Sequence, residues 1–122
     1  MKREVHKMDC LFCKIKNGEI PSKKVYEDEY VYAFHDIAPM APIHVLIIPK
    51  EHVESAAKLS GDQLIMMEHL TDAANKIAKQ LGIYESGFRL VLNSGKDAGQ
   101  TVFHLHMHLL GGDALADFGT RK

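Results

Sequence analysis

Three of the eight histidines, His104, His106 and His108, occupy alternate positions in the run Phe103-His104-Leu105-His106-Met107-His108-Leu109-Leu110. Alternate residues of a β-strand point to one face, so a strand here gathers three imidazoles. Leu105, Met107 and Leu109 then take the opposite face and pack under a helix. The reverse arrangement would bury the imidazoles and expose three large apolar side chains. A neutral imidazole attacks phosphorus well near pH 7, and its neighbours can donate protons to phosphate oxygens and a leaving group. Spacing alone leaves two other readings open: histidines satisfied on a sheet surface, and a chelate for one ion. Against a hydrolytic metal centre, no carboxylate or fourth histidine follows closely. Clustering beside the polar loop Ser94-Gly95-Lys96-Asp97-Ala98-Gly99-Gln100 favours a functional site over a surface stripe.

The only two cysteines, Cys10 and Cys13, form a single CxxC. Two such thiolates can bind one ion, and a closed tetrahedral zinc site needs two more ligands. The alternative is a pair of small buried apolar side chains. A redox dithiol fits less well, because no thioredoxin-like βαβ pattern surrounds the pair.

These residues need elements to hold them. Residues 24–27 and 30–35, rich in Val, Tyr and Phe, predict a hairpin around the acidic turn Glu27-Asp28-Glu29. Ala38-Pro39 and Ala41-Pro42 mark a loop, and the apolar run 43–48, stopped by Pro49, predicts a buried strand. A long helix is expected over 61–81. Ser60 is its expected N-cap, with Gln63 completing a capping box. Met67, Leu70, Ala74, Ile77, Ala78 and Leu81 form its apolar face, and Gly82 ends it. Two further strands are expected at 88–93 and 102–111. Strands, one long helix, then strands predict an α+β domain: an antiparallel sheet with the helix on one face. So small a sheet leaves an edge, which favours a dimer formed through that edge or the helix.

The chain of 122 residues suffices for one domain, and 46% hydrophobic residues suffice for a core. Residues 1–9 read as a loose leader before a single domain at 10–122. A net charge of -1 gives no general attraction to nucleic acid or an acidic membrane, so neither is expected as a partner. The longest apolar run, Val45-Leu46-Ile47-Ile48, is far short of a membrane span, and no apolar leader follows the first lysines. A cytoplasmic protein is expected.

The triad run resembles the histidine-triad (HIT) family signature, His-x-His-x-His with apolar residues between. The resemblance extends to Phe34-His35-Asp36-Ile37-Ala38-Pro39-Met40-Ala41-Pro42-Ile43-His44-Val45-Leu46-Ile47-Ile48-Pro49-Lys50, similar to the family's upstream signature. Asn93 to Phe103 resembles its loop before the triad, and Leu110-Gly111-Gly112 the ending of its nucleotide-binding branch. It covers about residues 10–113. The resemblance implies a five-stranded antiparallel sheet with one long and one short helix, two sheets joined across a homodimer. It implies hydrolysis of purine nucleoside phosphoramidates, or related adenylylated substrates, through a nucleotidyl-histidine intermediate at His106. His108 and His44 would attend the phosphate and leaving group, and Thr101 stands where the family often has serine. Gln100 and Asn93 would meet the phosphate and sugar. Asp36 would accept from the ribose hydroxyls, although a turn residue before Ala38-Pro39 explains it almost equally. Phe12, Ile15, Phe34, Ile37 and Leu46 would wall a slot for a purine of AMP or GMP derivatives. Related members carry a structural zinc, and the matching positions are Cys10, Cys13, His52 and His104; no catalytic cofactor is implied.

Two rival classes share these residues: a nucleotide sensor with little turnover, and a metal-binding scaffold. The intact His106 favours the enzyme, and activity that survives chelation would argue against metal at the reacting centre. One departure concerns the tail. The branch can carry a tryptophan there that reaches the partner's site; this chain has none, and its tail runs Asp113-Ala-Leu-Ala-Asp-Phe118-Gly-Thr-Arg-Lys. Leaving-group preference is not set by the resemblance.

Overall fold

A computed structural model describes residues 10–117. The leader expected at residues 1–9 and the last tail residues, 118–122, lie outside the described residues. The elements run α1 (Leu11–Lys16), β1 (Lys24–Glu27), β2 (Val31–His35), β3 (Ile43–Pro49), α2 (Ile65–Gln80), β4 (Phe88–Leu92) and β5 (Met107–Gly111). The five strands form one sheet in the order β1-β2-β3-β5-β4, every pair antiparallel. This is the α+β architecture expected, with one long and one short helix.

The acidic turn closes the first hairpin for a local reason. Asp28 Oδ1 accepts from the N–H groups of Tyr30 (2.8 Å) and Val31 (2.9 Å), an Asx turn that brings β2 back along β1. Helix α2 ends as expected. Gly82 adopts φ +76°, its N–H reaches Lys79 O, and the Ile83 N–H reaches Ala78 O at 2.9 Å, a Schellman closure. The start differs. Residues Gly61–Leu64 form a 3₁₀ turn, and Ser60 makes no side-chain cap. Gly61 turns left-handed (φ +55°) between Ser60 and the helix, and the Gln63 side chain reaches Glu51 instead. The capping box does not form, and α2 begins at Ile65.

Two clusters cover the two faces of the sheet. Helix α2 lays Leu70, Ala73, Ala74, Ile77 and Ala78 on Val31, Ala33, Val45, Ile47, Leu105, Met107 and Leu109. On the other face, Cys10 and the α1 residues Phe12, Cys13 and Ile15 pack on Tyr32, Phe34, Leu46 and Ile48. Burial on both faces explains why β2 and β3 read as unbroken apolar runs rather than alternating ones. It also corrects the expected surface for the histidines. Leu105, Met107 and Leu109 do face the helix, but His104 (0% exposed) and His106 (9%) lie under cover too. The expected strand 102–111 shortens to Met107–Gly111. Before it, the backbone is held by other partners, among them Leu105 N–H on Val53 O at 2.6 Å. No helix among the described residues is long and apolar enough to cross a membrane.

Candidate active site

His106 lies in the extended lead into β5, with the Phe12 ring edge-on at 5.0 Å. Its Nδ1 is 2.8 Å from the carbonyl of His104. A carbonyl only accepts, so Nδ1 carries the hydrogen and Nε2 keeps a lone pair. Burial pushes His106 below its usual pKa, opposed by that carbonyl bond and by Asp36.

His44, on β3, and His108, on β5, stand side by side with Nε2 and Nδ1 2.9 Å apart. The backbone N–H of Met40 donates to His44 Nδ1 at 3.1 Å. Nδ1 is therefore an acceptor, and His44 Nε2 carries the hydrogen. That hydrogen faces His108 Nδ1, with Asp36 Oδ2 also 3.4 Å from His44 Nε2. His108 is left with its own hydrogen on Nε2. Burial lowers His44, partly offset by Asp36, and lowers His108 to about 4, with the neighbouring His106 and His44 adding to the effect. Both rings are neutral at pH 7.

The Asp36, His44 and His108 ligand atoms lie within 4.8 Å of one another, as a metal trio would. The Met40 N–H argues against that use. An ion on His44 Nε2 would need the hydrogen moved to Nδ1, against an N–H that already points there.

Cys10, Cys13, His52 and His104 form the opposite case. His104 Nε2 is 2.9 Å from Pro49 O and must donate to it, so its Nδ1 is a lone pair. That nitrogen faces Cys10 Sγ (3.4 Å), Cys13 Sγ (3.5 Å) and His52 Nδ1 (3.2 Å), and Cys13 Sγ is 3.4 Å from His52 Nδ1. Zinc bonds of about 2.0–2.3 Å at tetrahedral angles put ligand atoms about 3.3–3.8 Å apart. The donor set and spacing fit such an ion. Burial lowers His104 to about 4 despite the raising effect of the Pro49 carbonyl, so burial keeps the ring neutral.

The other expected residues occupy several different settings. Phe12, Ile15, Phe34 and Leu46 are buried together, Phe12 and Phe34 meeting edge-on at 5.6 Å. Ile37 does not share that packing: it is 98% exposed on the loop between β2 and β3. It lines a groove of about 740 Å³ with Asp36, His44, Pro39 and Pro42, among others. Asp36 Oδ1 also accepts the Ala38 N–H at 2.8 Å, so it serves its turn as well as facing His44. Asn93 follows β4, half-buried, and Thr101 is exposed. Gln100 does not fit a phosphate contact, because its donors are already spent on backbone carbonyls. Sequence reasoning missed the Met40 N–H and the Pro49 carbonyl. The prolines flanking Met40 signal a stiff loop, but nothing in residue types says which amide faces a ring.

A small antiparallel α+β domain, with three alternating histidines on the lead into and start of β5 and a lone pair on His106 Nε2, has the layout of the triad class. The profile described as HIT domain matches residues 17–115. The purine nucleoside phosphoramidase of Escherichia coli K12 is 45% identical over 114 residues, covering 93% of this chain and 96% of that protein. A HIT family hydrolase from Clostridium thermocellum superposes with TM-score 0.84 at 51% identity, covering 93% of this chain and 96% of that one. A histidine triad protein from Clostridium difficile gives TM-score 0.89 at 48% identity, covering 92% and 97%. The chain belongs to the HIT domain family.

Proposed function

We propose that the chain is a hydrolase that cleaves purine nucleoside phosphoramidates, or related adenylylated substrates, through a nucleotidyl intermediate on His106. The observation that carries this reading is the bond from His106 Nδ1 to the His104 carbonyl, which leaves Nε2 unprotonated. The Escherichia coli relative, named for that activity, supports the substrate class.

His106 Nε2 attacks phosphorus, the bond to the leaving nitrogen breaks as that nitrogen takes a proton from water, and the amine departs. The hydroxide so formed attacks the same phosphorus, the His–P bond breaks with its electron pair returning to Nε2, and a nucleoside monophosphate leaves with the imidazole restored. The His108 Nε2 hydrogen and the Thr101 hydroxyl donate to phosphoryl oxygens, where charge grows. His44 orients His108. Asp36 accepts from the ribose, Asn93 holds the sugar and phosphate region, exposed Ile37 offers the base one apolar face, and the separate cluster of Phe12, Ile15, Phe34 and Leu46, with Phe12 against His106, offers another. Cys10, Cys13, His52 and His104 hold a structural zinc, which would tie α1, the segment after β3 and the lead into β5 together. The working protein is a cytoplasmic homodimer joined at a sheet edge, and β4 is such an edge.

His106→Gly tests the mechanism. Turnover of adenosine phosphoramidate should vanish while AMP still binds, and the parent should trap an acid-labile, base-stable label on histidine during turnover. Substantial activity in His106→Gly overturns the covalent route.

A further inference from the structure

Gln100 is a polar side chain only 5% exposed. Its backbone N–H donates to Gly95 O (3.1 Å), and its Oε1 accepts from the Gly95 N–H (2.8 Å). Its Nε2 donates to the carbonyls of Glu54 (2.7 Å) and Val102 (3.1 Å). Two carbonyls and one N–H decide which end of the amide is nitrogen. Every hydrogen that Gln100 can donate is thereby used, and an ionised phosphate only accepts.

The four bonds tie three segments into one unit: the loop after β4, the stretch following β3, and the lead into β5. Leu105 N–H on Val53 O is a second tie between the last two. Between these ties lie Thr101 and His104, whose carbonyl holds His106. We infer that Gln100 is a positioning residue, which sets the place of Thr101 and of the His104 carbonyl through Gly95, Glu54 and Val102 without touching substrate. The inference rests on the hydrolase reading for what is positioned; the staple itself does not.

Two variants test it. Gln100→Met keeps the length and removes the donors, and Gln100→Glu keeps the shape but turns acceptors toward two carbonyls. In both, the Gly95 amide should exchange with solvent faster than in the parent, with no nucleotide present. kcat on adenosine phosphoramidate should fall by about 10²-fold, the scale of a small misplacement, with AMP affinity within about threefold. Thr101→Ala should cost much less in the Gln100→Met background than in the parent, because Thr101 is already displaced there. In the parent, the Gln100 side-chain NH₂ resonances should stay in place when AMP is added. That last measurement needs no variant to fold. NH₂ resonances that move with AMP, together with a raised AMP Kd at unchanged kcat, would make Gln100 a ligand contact and overturn the inference. Unchanged Gly95 exchange and kcat would overturn it too. If AMP perturbs no resonance of the parent at all, the nucleotide reading fails, and Gly95 exchange still decides the staple.

Discussion

At Cys10, Cys13, His52 and His104 the inward nitrogen of His104 is a lone pair, whereas at Asp36, His44 and His108 one inward nitrogen carries a hydrogen. The residue types of the two clusters overlap, and so do the spacings. What separates them is a single backbone group in each. The Pro49 carbonyl takes the Nε2 hydrogen of His104 and leaves Nδ1 for an ion. The Met40 N–H takes the Nδ1 lone pair of His44 and leaves a hydrogen on Nε2, facing His108. A second carbonyl, that of His104, takes the Nδ1 hydrogen of His106 and leaves its Nε2 a lone pair. Backbone partners thus give chemically identical rings different hydrogen placements, which the proposed roles of ligand, donor and nucleophile require.

The contrast breaks most sharply at His106. His106→Asn should lower kcat/KM on adenosine phosphoramidate by about 10³-fold or more, with AMP affinity near that of the parent. Steady-state kinetics and calorimetry check both halves. Removing the other cluster should act on stability. Cys10→Ser with Cys13→Ser should abolish bound zinc and lose at least about 2.7 kcal/mol, the linkage expected at a hundredfold excess of ligand over Kd. The remaining folded fraction should still turn over substrate. Protein prepared without chelator and found free of zinc by elemental analysis would remove this side of the comparison.

Asp36 sharpens the donor side with a smaller effect. It faces His44 Nε2 through Oδ2 and serves its own turn through Oδ1. Asp36→Asn keeps a turn acceptor, so its losses report the carboxylate more cleanly than those of Asp36→Ala. Both should weaken AMP by roughly tenfold, in keeping with a hydrogen bond to a charged group, and deoxy-AMP much less. Equal losses for the two nucleotides would take Asp36 away from the ribose.

Much of this was legible from residue patterns, because side-chain periodicity follows backbone geometry. The hairpin around Asp28, the face shared by Leu105, Met107 and Leu109, and the Gly82 helix end all follow from local rules. The expectations that did not hold needed contacts made elsewhere in the chain. Ser60 and Gln63 have the types of a capping box, yet the left-handed Gly61 diverts them. The triad lead departs from the sheet because Val53, Glu54 and Gly95 hold it. Tautomers lie further still from sequence, since main-chain carbonyls and amides carry no residue signature.

The smallest expected effect is a pH dependence. Unfolded histidine titrates near 6.5, and burial lowers His108 to about 4 and lowers His44. Between about pH 6.5 and 4 the unfolded chain binds a proton that folded His108 refuses. The free energy of unfolding therefore falls as pH drops through that window and is complete above it. His104, also lowered to about 4, adds the same trend in the parent. His108→Gln removes one titrating group while leaving an amide that can accept from His44 and donate toward substrate. Urea unfolding at stepped pH should give a shallower loss of stability in His108→Gln than in the parent, by up to about one proton in the slope. The same difference should persist in the Cys10→Ser, Cys13→Ser background, because the hydrogen-bond chain is set by Met40 and not by the ion. Parallel slopes for parent and variant would mean that folded His108 takes its proton at the ordinary pKa, and the donor role drawn from His44 would fall with it.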